Sequence, residues 1–144
     1  MATLEQSVKK IRAFDFEKEL LNIVSLNDQK ALNLNRDTQL FIEGSDSLGN
    51  QLDPPYTDLT IFLKRLAGQP ANRVTLRDSG AFHDSFFLDP SKFPVRIDAT
   101  DSKTDDLKGK YGKDIFGLDD ESQGDFNKHI LSDVQTSLKK GIGI

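Results

Sequence analysis

The sequence predicts an α+β fold built as a single domain over residues 1–144. A long N-terminal helix, a short central helix, a small antiparallel sheet and a C-terminal helix are expected in that order. Three observations predict this arrangement. Apolar residues recur at helical spacing near both ends of the chain, two short alternating segments lie between them, and loops rich in glycine and proline separate these regions.

The N-terminal segment, residues 1–34, is predicted to be helical. Leu4, Val8 and Ile11 are spaced i, i+4, i+7 and therefore share one face of a helix. Asp15 is placed to cap a second helical section. The ordinary interpretation is a helix packed on the core of its own chain, and the alternative is a helix packed partly on another subunit. The residues of that candidate interface are Leu4, Val8, Ile11 and Phe16.

The middle of the chain predicts a strand, a loop and a helix. Residues 40–42 are a short apolar strand candidate, and the turn-forming residues after them predict an exposed loop over residues 44–56. Thr57 is a plausible N-cap for a short helix that ends at Gly68. Lys64 is expected to point away from the core. The predicted buried face of this helix is Leu59, Phe62, Leu63 and Leu66.

The sheet is predicted from the segments that follow. Residues 74–76 are a possible first strand, and residues 86–89 and 93–100 are predicted to form an antiparallel pair. In the second of these strands, apolar and polar residues alternate, which is typical of a strand with one solvated face. The polar, glycine-containing segment 100–113 is predicted to be an exposed loop.

The last element is a long amphipathic helix. Acidic residues at positions 119–121 favour a helix start. An apolar stripe follows, and Gly141 is expected to stop the helix and leave a loose tail over residues 141–144. The residues of the stripe are Phe126, Ile130, Leu131, Val134 and Leu138.

Composition and charge restrict the classes of function. The net charge is −4, whereas a sequence-specific nucleic-acid binder normally carries a basic stripe. With no cysteine, disulfides, cysteine zinc sites and thiol chemistry are excluded. No apolar run approaches the roughly 20 residues of a membrane span, so no membrane association is expected. The hydrophobic share, 36%, is modest, which indicates a small core, a chain that is partly surface arm and loop, or burial of apolar residues against neighbouring subunits.

The chemical motifs favour structure over catalysis. Ser79 beside Asp78, with His83 nearby, is the candidate for a small hydrolase, but no nucleophile elbow surrounds the serine. Asp-Ser-Gly is more typical of a turn in which the Asp oxygen accepts a backbone N–H and Gly80 takes a positive φ. A metal site would need His83 and His129 with distant carboxylates, and the acidic segments fail the calcium-loop spacing. We therefore predict no catalytic residue, no cofactor and no metal.

Three stretches, taken in order, resemble one family. They are "GSDSLGNQLDPPYTDLTIFLKRLAG", "VTLRDSGAFHDSFF" and "KYGKDIFGLDDESQGDFNKHILSDV". Their order resembles the phage virion morphogenesis proteins, which act in tail completion and head–tail joining, over about residues 44–138. Ser79 stands where that family has threonine, and the tryptophan before the proline pair is absent. The matching motif residues are Asp78, Ser79, Gly80, Phe82, Phe86, Tyr111, Gly112, Phe116, Gly117 and Leu118.

The resemblance implies a structural virion protein and not an enzyme. It implies homo-oligomers that close into rings, often sixfold, with other neck or tail proteins as partners. The protein would be made in the bacterial host cytoplasm and end in the virion. The Asp78–Gly80 turn would then be structural, and the rings of Phe82, Phe86 and Phe87 would be buried against the sheet and helices. The alternatives are a small hydrolase using Ser79, Asp78 and His83, and a phage accessory protein that binds a host protein.

Overall fold

The computed structural model describes residues 3–91 and 93–143, and it has the α+β fold that the sequence predicts. Strands β1 (Phe86–Asp89) and β2 (Arg96–Ala99) form a two-stranded antiparallel sheet, with Phe86 opposite Ala99. A π-helical segment, Leu34–Glu43, continues α3, and a 3-10 turn, Lys113–Ile115, precedes α7. The α-helices are α1 (Leu4–Ala13), α2 (Phe16–Leu26), α3 (Asp28–Asn33), α4 (Asp58–Leu66), α5 (Ala81–Asp84), α6 (Thr104–Tyr111) and α7 (Asp120–Ile142).

The N-terminal segment is helical, but it is divided into separate helices. Thr3 caps α1 through a capping box with Gln6, and the Asp15 carboxylate caps α2 by accepting from the backbone N–H of Lys18. Every residue of α1 is exposed or half-buried, whereas α2 buries Ile23 against the core. The chain therefore begins with a helix that lies on the surface of the fold.

The strand predicted at residues 40–42 is wrong, because these residues belong to the π-helical segment. Leu40 is fully buried and Ile42 is 62% exposed, so the apolar run wraps around a helix and does not line one face of a strand. Gly44 ends the segment at φ +66, and a Cβ at this position would lie 2.9 Å from the Cβ of Arg73. The chain can turn so closely here only because this residue is glycine.

The segments predicted as loops behave differently. Residues 44–56 form a loop that is exposed at its tip, where Leu48 lies, and buried where Ser45 and Leu52 enter the core. The loop predicted over residues 100–113 is wrong, since α6 occupies most of it. Acidic residues in the first turn of α6 and lysines in its last turn complement the helix dipole, which offsets the poor apolar pattern of this segment.

Two further boundaries differ from the sequence prediction. Residues 74–76 are buried, but they lie outside the two-stranded sheet. The helix α7 continues through Gly141 and ends at Gly143, whose φ is +80, so the predicted loose tail is wrong at positions 141 and 142. A Cβ on Gly141 would collide with the ring of Phe14, which shows how closely the chain after α1 approaches α7. Position 144 lies outside the described residues.

The core consists of two clusters of buried apolar side chains. The first contains Leu32, Leu40, Leu52, Val74, Leu76, Phe82, Phe86 and Ile115. The second contains Ile23, Val24, Ala31, Leu34, Phe126 and Ile130, where α2 and α3 meet α7. Within residues 3–91 and 93–143, we find no helix with the length and apolar character that crossing a bilayer requires.

Candidate functional site

The Asp78-Ser79-Gly80 motif forms a turn that starts α5. Gly80 has φ +91, a conformation that favours glycine. The hydroxyl of Ser79 accepts the backbone N–H of Ala81 at 3.3 Å, and the Gln69 amide donates to the carbonyl of Asp78 at 3.0 Å. The side chain that accepts the backbone N–H is thus the serine, where the sequence predicted the aspartate.

The aromatic residues after the turn form one ring cluster, although one of the three predicted rings stays outside it. Phe82 and Phe86 are each 5% exposed, and their ring centroids lie 5.0 Å apart in an edge-to-face contact. Phe116 joins them from the segment before α7, with its ring 5.1 Å from that of Phe86. The prediction that Phe87 is also buried is wrong, because it is 40% exposed on the other side of β1.

Two buried amides hold the segment that contains Phe116, and sequence analysis missed both. The Asn35 side chain donates to the Ile115 carbonyl at 2.9 Å and accepts from the Gly117 N–H at 3.0 Å. One turn later, the Gln39 side chain donates to the Gly117 carbonyl and accepts from the Asp119 N–H, both at 2.9 Å. Both side chains are fully buried, so these bonds satisfy groups that water cannot reach. The signal in the sequence was an amide pair at i, i+4, placed next to Leu34 and Leu40 on the side of the helix that is buried.

The remaining motif residues lie around the aromatic cluster, where they end a helix or pack against the core. Tyr111, at the end of α6, packs against the first core cluster, and Gly112 ends that helix at φ +91. Leu118 packs against the second cluster. The structure thus brings Phe82, Phe86 and Phe116 into contact, while the other motif residues set turns or fill the space beside these rings.

His83 is buried in this region and does not form the side-chain pair that a hydrolase would need. Its Nε2 donates to the Thr75 carbonyl at 2.9 Å, so the lone pair of the neutral ring is on Nδ1, which is buried and has no partner among the described residues. Burial lowers the pKa of His83 below its ordinary value of 6.5. The Ser79 hydroxyl is engaged with Ala81 on the exposed turn. A general base must reach the hydroxyl that it activates.

The central helix α4 faces the opposite way from the sequence prediction. Lys64, predicted to point outward, is buried, and its ammonium donates to the Arg77 carbonyl at 2.9 Å and to the Gln69 amide oxygen at 3.2 Å. The same ammonium lies 5.0 Å from the centre of the Tyr56 ring. These contacts satisfy the buried charge and hold the lysine side of α4 against the fold.

The apolar side of α4 is consequently exposed. The exposed fractions are 68% for Leu59, 58% for Phe62, 54% for Leu63 and 70% for Leu66. We call these four residues the α4 face. A contiguous apolar surface on a helix is unusual for a monomer and indicates a contact with another molecule.

The candidate interface residues at the N-terminus are exposed as well. Leu4 is 83% exposed, Val8 38% and Ile11 55%; we call these three residues the α1 face. Phe16, the fourth candidate, is 47% exposed. The structure therefore places two apolar helical faces, on α1 and α4, at the surface of one chain.

A cleft of about 670 Å³ lies beside β2 and α7. Val95 and Phe126 contribute to its apolar wall, and Lys108 lies at its edge, 3.9 Å from the carboxylate of Asp98. Among residues 3–91 and 93–143, we find no group of three or more His, Asp or Glu side chains placed to hold a metal ion.

Comparison with known proteins identified no similar protein. No protein-family model, no curated protein and no solved structure matches this chain. The geometry is therefore the direct evidence on function, and its most distinctive features are the two exposed apolar faces.

Proposed function

We propose that this chain is a structural subunit of a tailed-phage virion that acts in tail completion or head–tail joining by assembling into a ring. The order of the three motif stretches supports the phage assignment. The exposed α1 and α4 faces support a role in assembly. Such a protein binds and does not turn over a substrate, which agrees with a Ser79 turn and a His83 ring that are engaged separately.

The observation that carries the proposal is the pair of apolar faces on one chain. Seven large apolar side chains of α1 and α4 are between 38% and 83% exposed. Water disfavours such surface, so contact with another protein lowers its free energy. Two distinct faces give each copy two places to bind its neighbours, as a closed ring requires.

The 44–56 loop suits a contact with other neck or tail proteins. The Asp46 carboxylate accepts the backbone N–H groups of Leu48 and Asn50 and so fixes the tip of the loop. Leu48 is 66% exposed at that tip. A fixed loop that presents an apolar side chain can bind a partner without first becoming ordered.

The proposal is tested by native mass spectrometry of the purified chain together with immunogold electron microscopy of phage particles from the producing strain. We expect assemblies of several copies, with sixfold rings as the number that the family resemblance suggests, and gold label at the neck or tail end. A chain that is monomeric at every concentration and absent from particles would contradict the proposal. Recovery of a host protein in place of portal or tail proteins in a pull-down would favour the accessory-protein alternative.

A further inference from the structure

We infer that the α1 face of one copy docks on the α4 face of the next copy, with the two helices antiparallel. This inference rests on the proposed function and names the surfaces that would join the ring. Both faces repeat their apolar residues at the same spacing. Read from Ile11 back to Leu4, as an antiparallel contact requires, the apolar residues of α1 stand at i, i+3, i+7, and Leu59, Phe62 and Leu66 of the α4 face stand at i, i+3, i+7 as well.

Matched spacing allows the two faces to interdigitate. Each face spans eight residues, or seven steps of ~1.5 Å, which is about 10 Å of helix. Apolar side chains that repeat in this way can pack between the side chains of a partner helix with the same repeat. Leu63 adds a fourth apolar side chain to the α4 face, so α4 is the broader surface and α1 the narrower one.

The exposure of α1 in the single chain also favours α1 as the helix that docks on the α4 face of a neighbouring copy. Every residue of α1 is exposed or half-buried, so α1 can bury its apolar face only against another molecule or by moving. Leu63 of the α4 face also lines a groove of about 380 Å³ between α4 and the Asp78–Gly80 turn. Ala67, Leu76 and Phe82 form part of its apolar wall, so the groove gives α4 a concave border beside its exposed face.

The charges of the two helices select the antiparallel direction. α1 has Glu5 near its start and Arg12 in its last turn, and α4 has Asp58 at its start and Arg65 in its last turn. A parallel arrangement would bring like charges together at both ends. An antiparallel arrangement brings Glu5 to the end that carries Arg65 and Arg12 to the end that carries Asp58, and it also opposes the two helix dipoles.

The contact is heterologous, which makes it suitable for a ring. Both faces are exposed on the same chain, so each copy can offer its α1 face to one neighbour and its α4 face to the other. A head-to-tail contact of this kind closes into a ring when the rotation between copies divides a full turn.

Disulfide cross-linking of the full-length chain tests the inference, because the natural sequence contains no cysteine. In the antiparallel register, position 11 of one copy lies beside position 59 of the next. We expect a mixture of Ile11→Cys and Leu59→Cys chains to form a covalent dimer on mild oxidation, and neither variant to do so alone. A chain that carries both substitutions should form a ladder of covalent oligomers.

Three controls make the result decisive. A mixture of Leu4→Cys and Leu59→Cys should not cross-link, since these positions meet only in a parallel arrangement. The pair Val8→Cys and Phe62→Cys repeats the test at the middle of the faces in case one variant folds poorly. Native mass spectrometry of the unmodified chain reports assembly independently of the cysteines.

The outcomes separate this inference from the proposed function. Assemblies without a cross-link between positions 11 and 59, or between 8 and 62, would overturn the docking inference and leave ring assembly standing. Cross-linking of Leu59→Cys chains with themselves would mean that two α4 faces pair, and an internal bond in the double variant would mean that α1 folds onto its own α4. Either result overturns the inference, and a chain that is monomeric at every concentration and absent from particles overturns both the inference and the proposed function.

Discussion

The side-chain amide of Gln39 donates a 2.9 Å hydrogen bond to the carbonyl of Gly117, although the two residues are 78 positions apart in the sequence. Together with Asn35, it fixes the segment that joins the aromatic cluster to α7. Gly117 itself lies close to the 44–56 loop, where an added Cβ would be 3.2 Å from the Cβ of Ser47. One buried amide therefore helps to order the segment before α7 and, beside it, the 44–56 loop that we propose to contact partner proteins.

Replacement of Gln39 by leucine should destabilise the protein by about 2–4 kcal/mol, because the Gly117 carbonyl and the Asp119 N–H would remain buried without partners. Urea unfolding monitored by circular dichroism measures this change. Gln123→Leu is the matched control, since Gln123 is exposed and its amide bonds only the side chain of Asn127. Equal midpoints for the two variants would contradict the role of the buried amide.

Replacement of Phe82 or Phe86 by alanine should each cost about 3–5 kcal/mol, because both rings are buried and touch each other. Phe87→Ala provides the comparison in the same strand region, where the ring is 40% exposed and should contribute much less. Chemical unfolding of the three variants gives the ranking. A loss for Phe87→Ala as large as that for Phe82→Ala would show that the cluster is assigned incorrectly.

Replacing each of two glycines of α7 by alanine should have opposite effects: one should weaken a contact and the other should raise stability. Gly141→Ala places a Cβ against the ring of Phe14. This clash should weaken the contact between α1 and α7, and the backbone amides of α1 should therefore exchange faster with deuterium. Gly124→Ala meets no atom within 4 Å and should raise stability by about 0.5–1 kcal/mol, because alanine is the better helix former. If Gly141→Ala left the exchange of α1 unchanged, the contact between Phe14 and Gly141 would not hold α1.

Because of His83, the free energy of unfolding should decrease as the pH is lowered below 6.5. Its pKa in the folded state lies below 6.5 because burial disfavours the charged ring. Above pH 6.5 His83 is neutral in both the folded and the unfolded protein. Below pH 6.5 the unfolded chain binds a proton at His83 more readily than the folded chain does. Stability should therefore fall, by at most about 1.4 kcal/mol per pH unit.

Unfolding free energies measured between about pH 7.5 and 5.5 test this, since histidine is the side chain that ordinarily titrates there. His83→Gln should flatten the dependence, and the same substitution at His129, which is exposed on α7, is the matched control. The same slope in His83→Gln and the unmodified protein would rule out His83 as the titrating group.

Helix starts and the pair of strands could be predicted from the sequence, because both depend on residues that lie close together in the chain. The caps at Asp15 and Thr57 are read from single residues, and both side chains accept backbone N–H groups at these helix starts. The acidic start predicted at residues 119–121 also marks a helix start, where Asp119 is the cap. The antiparallel pair of strands was visible in the same way, because alternation reports a half-buried strand.

The orientation of α4 could not be predicted from the sequence, since periodicity identifies an apolar side but not what covers it. The usual assumption places that side in the core of its own chain. Here Lys64 finds a carbonyl, an amide oxygen and a ring on the inner side, so the polar side can be buried and the apolar side is left outward. The long-range partners of Asn35 and Gln39 were hidden for the same reason, because they are about 80 positions away.

The central claim is that copies of this chain associate through apolar helical faces, and light scattering over a range of concentrations tests it most directly. We compare the unmodified chain with Ile11→Glu, which places a charge on the α1 face, and with Leu131→Glu, which alters an equally exposed apolar residue of α7 outside both faces. The account predicts a mass of several chains for the unmodified protein and for Leu131→Glu, and the mass of one chain for Ile11→Glu. A single-chain mass for all three, or an unchanged assembly in Ile11→Glu, would contradict it.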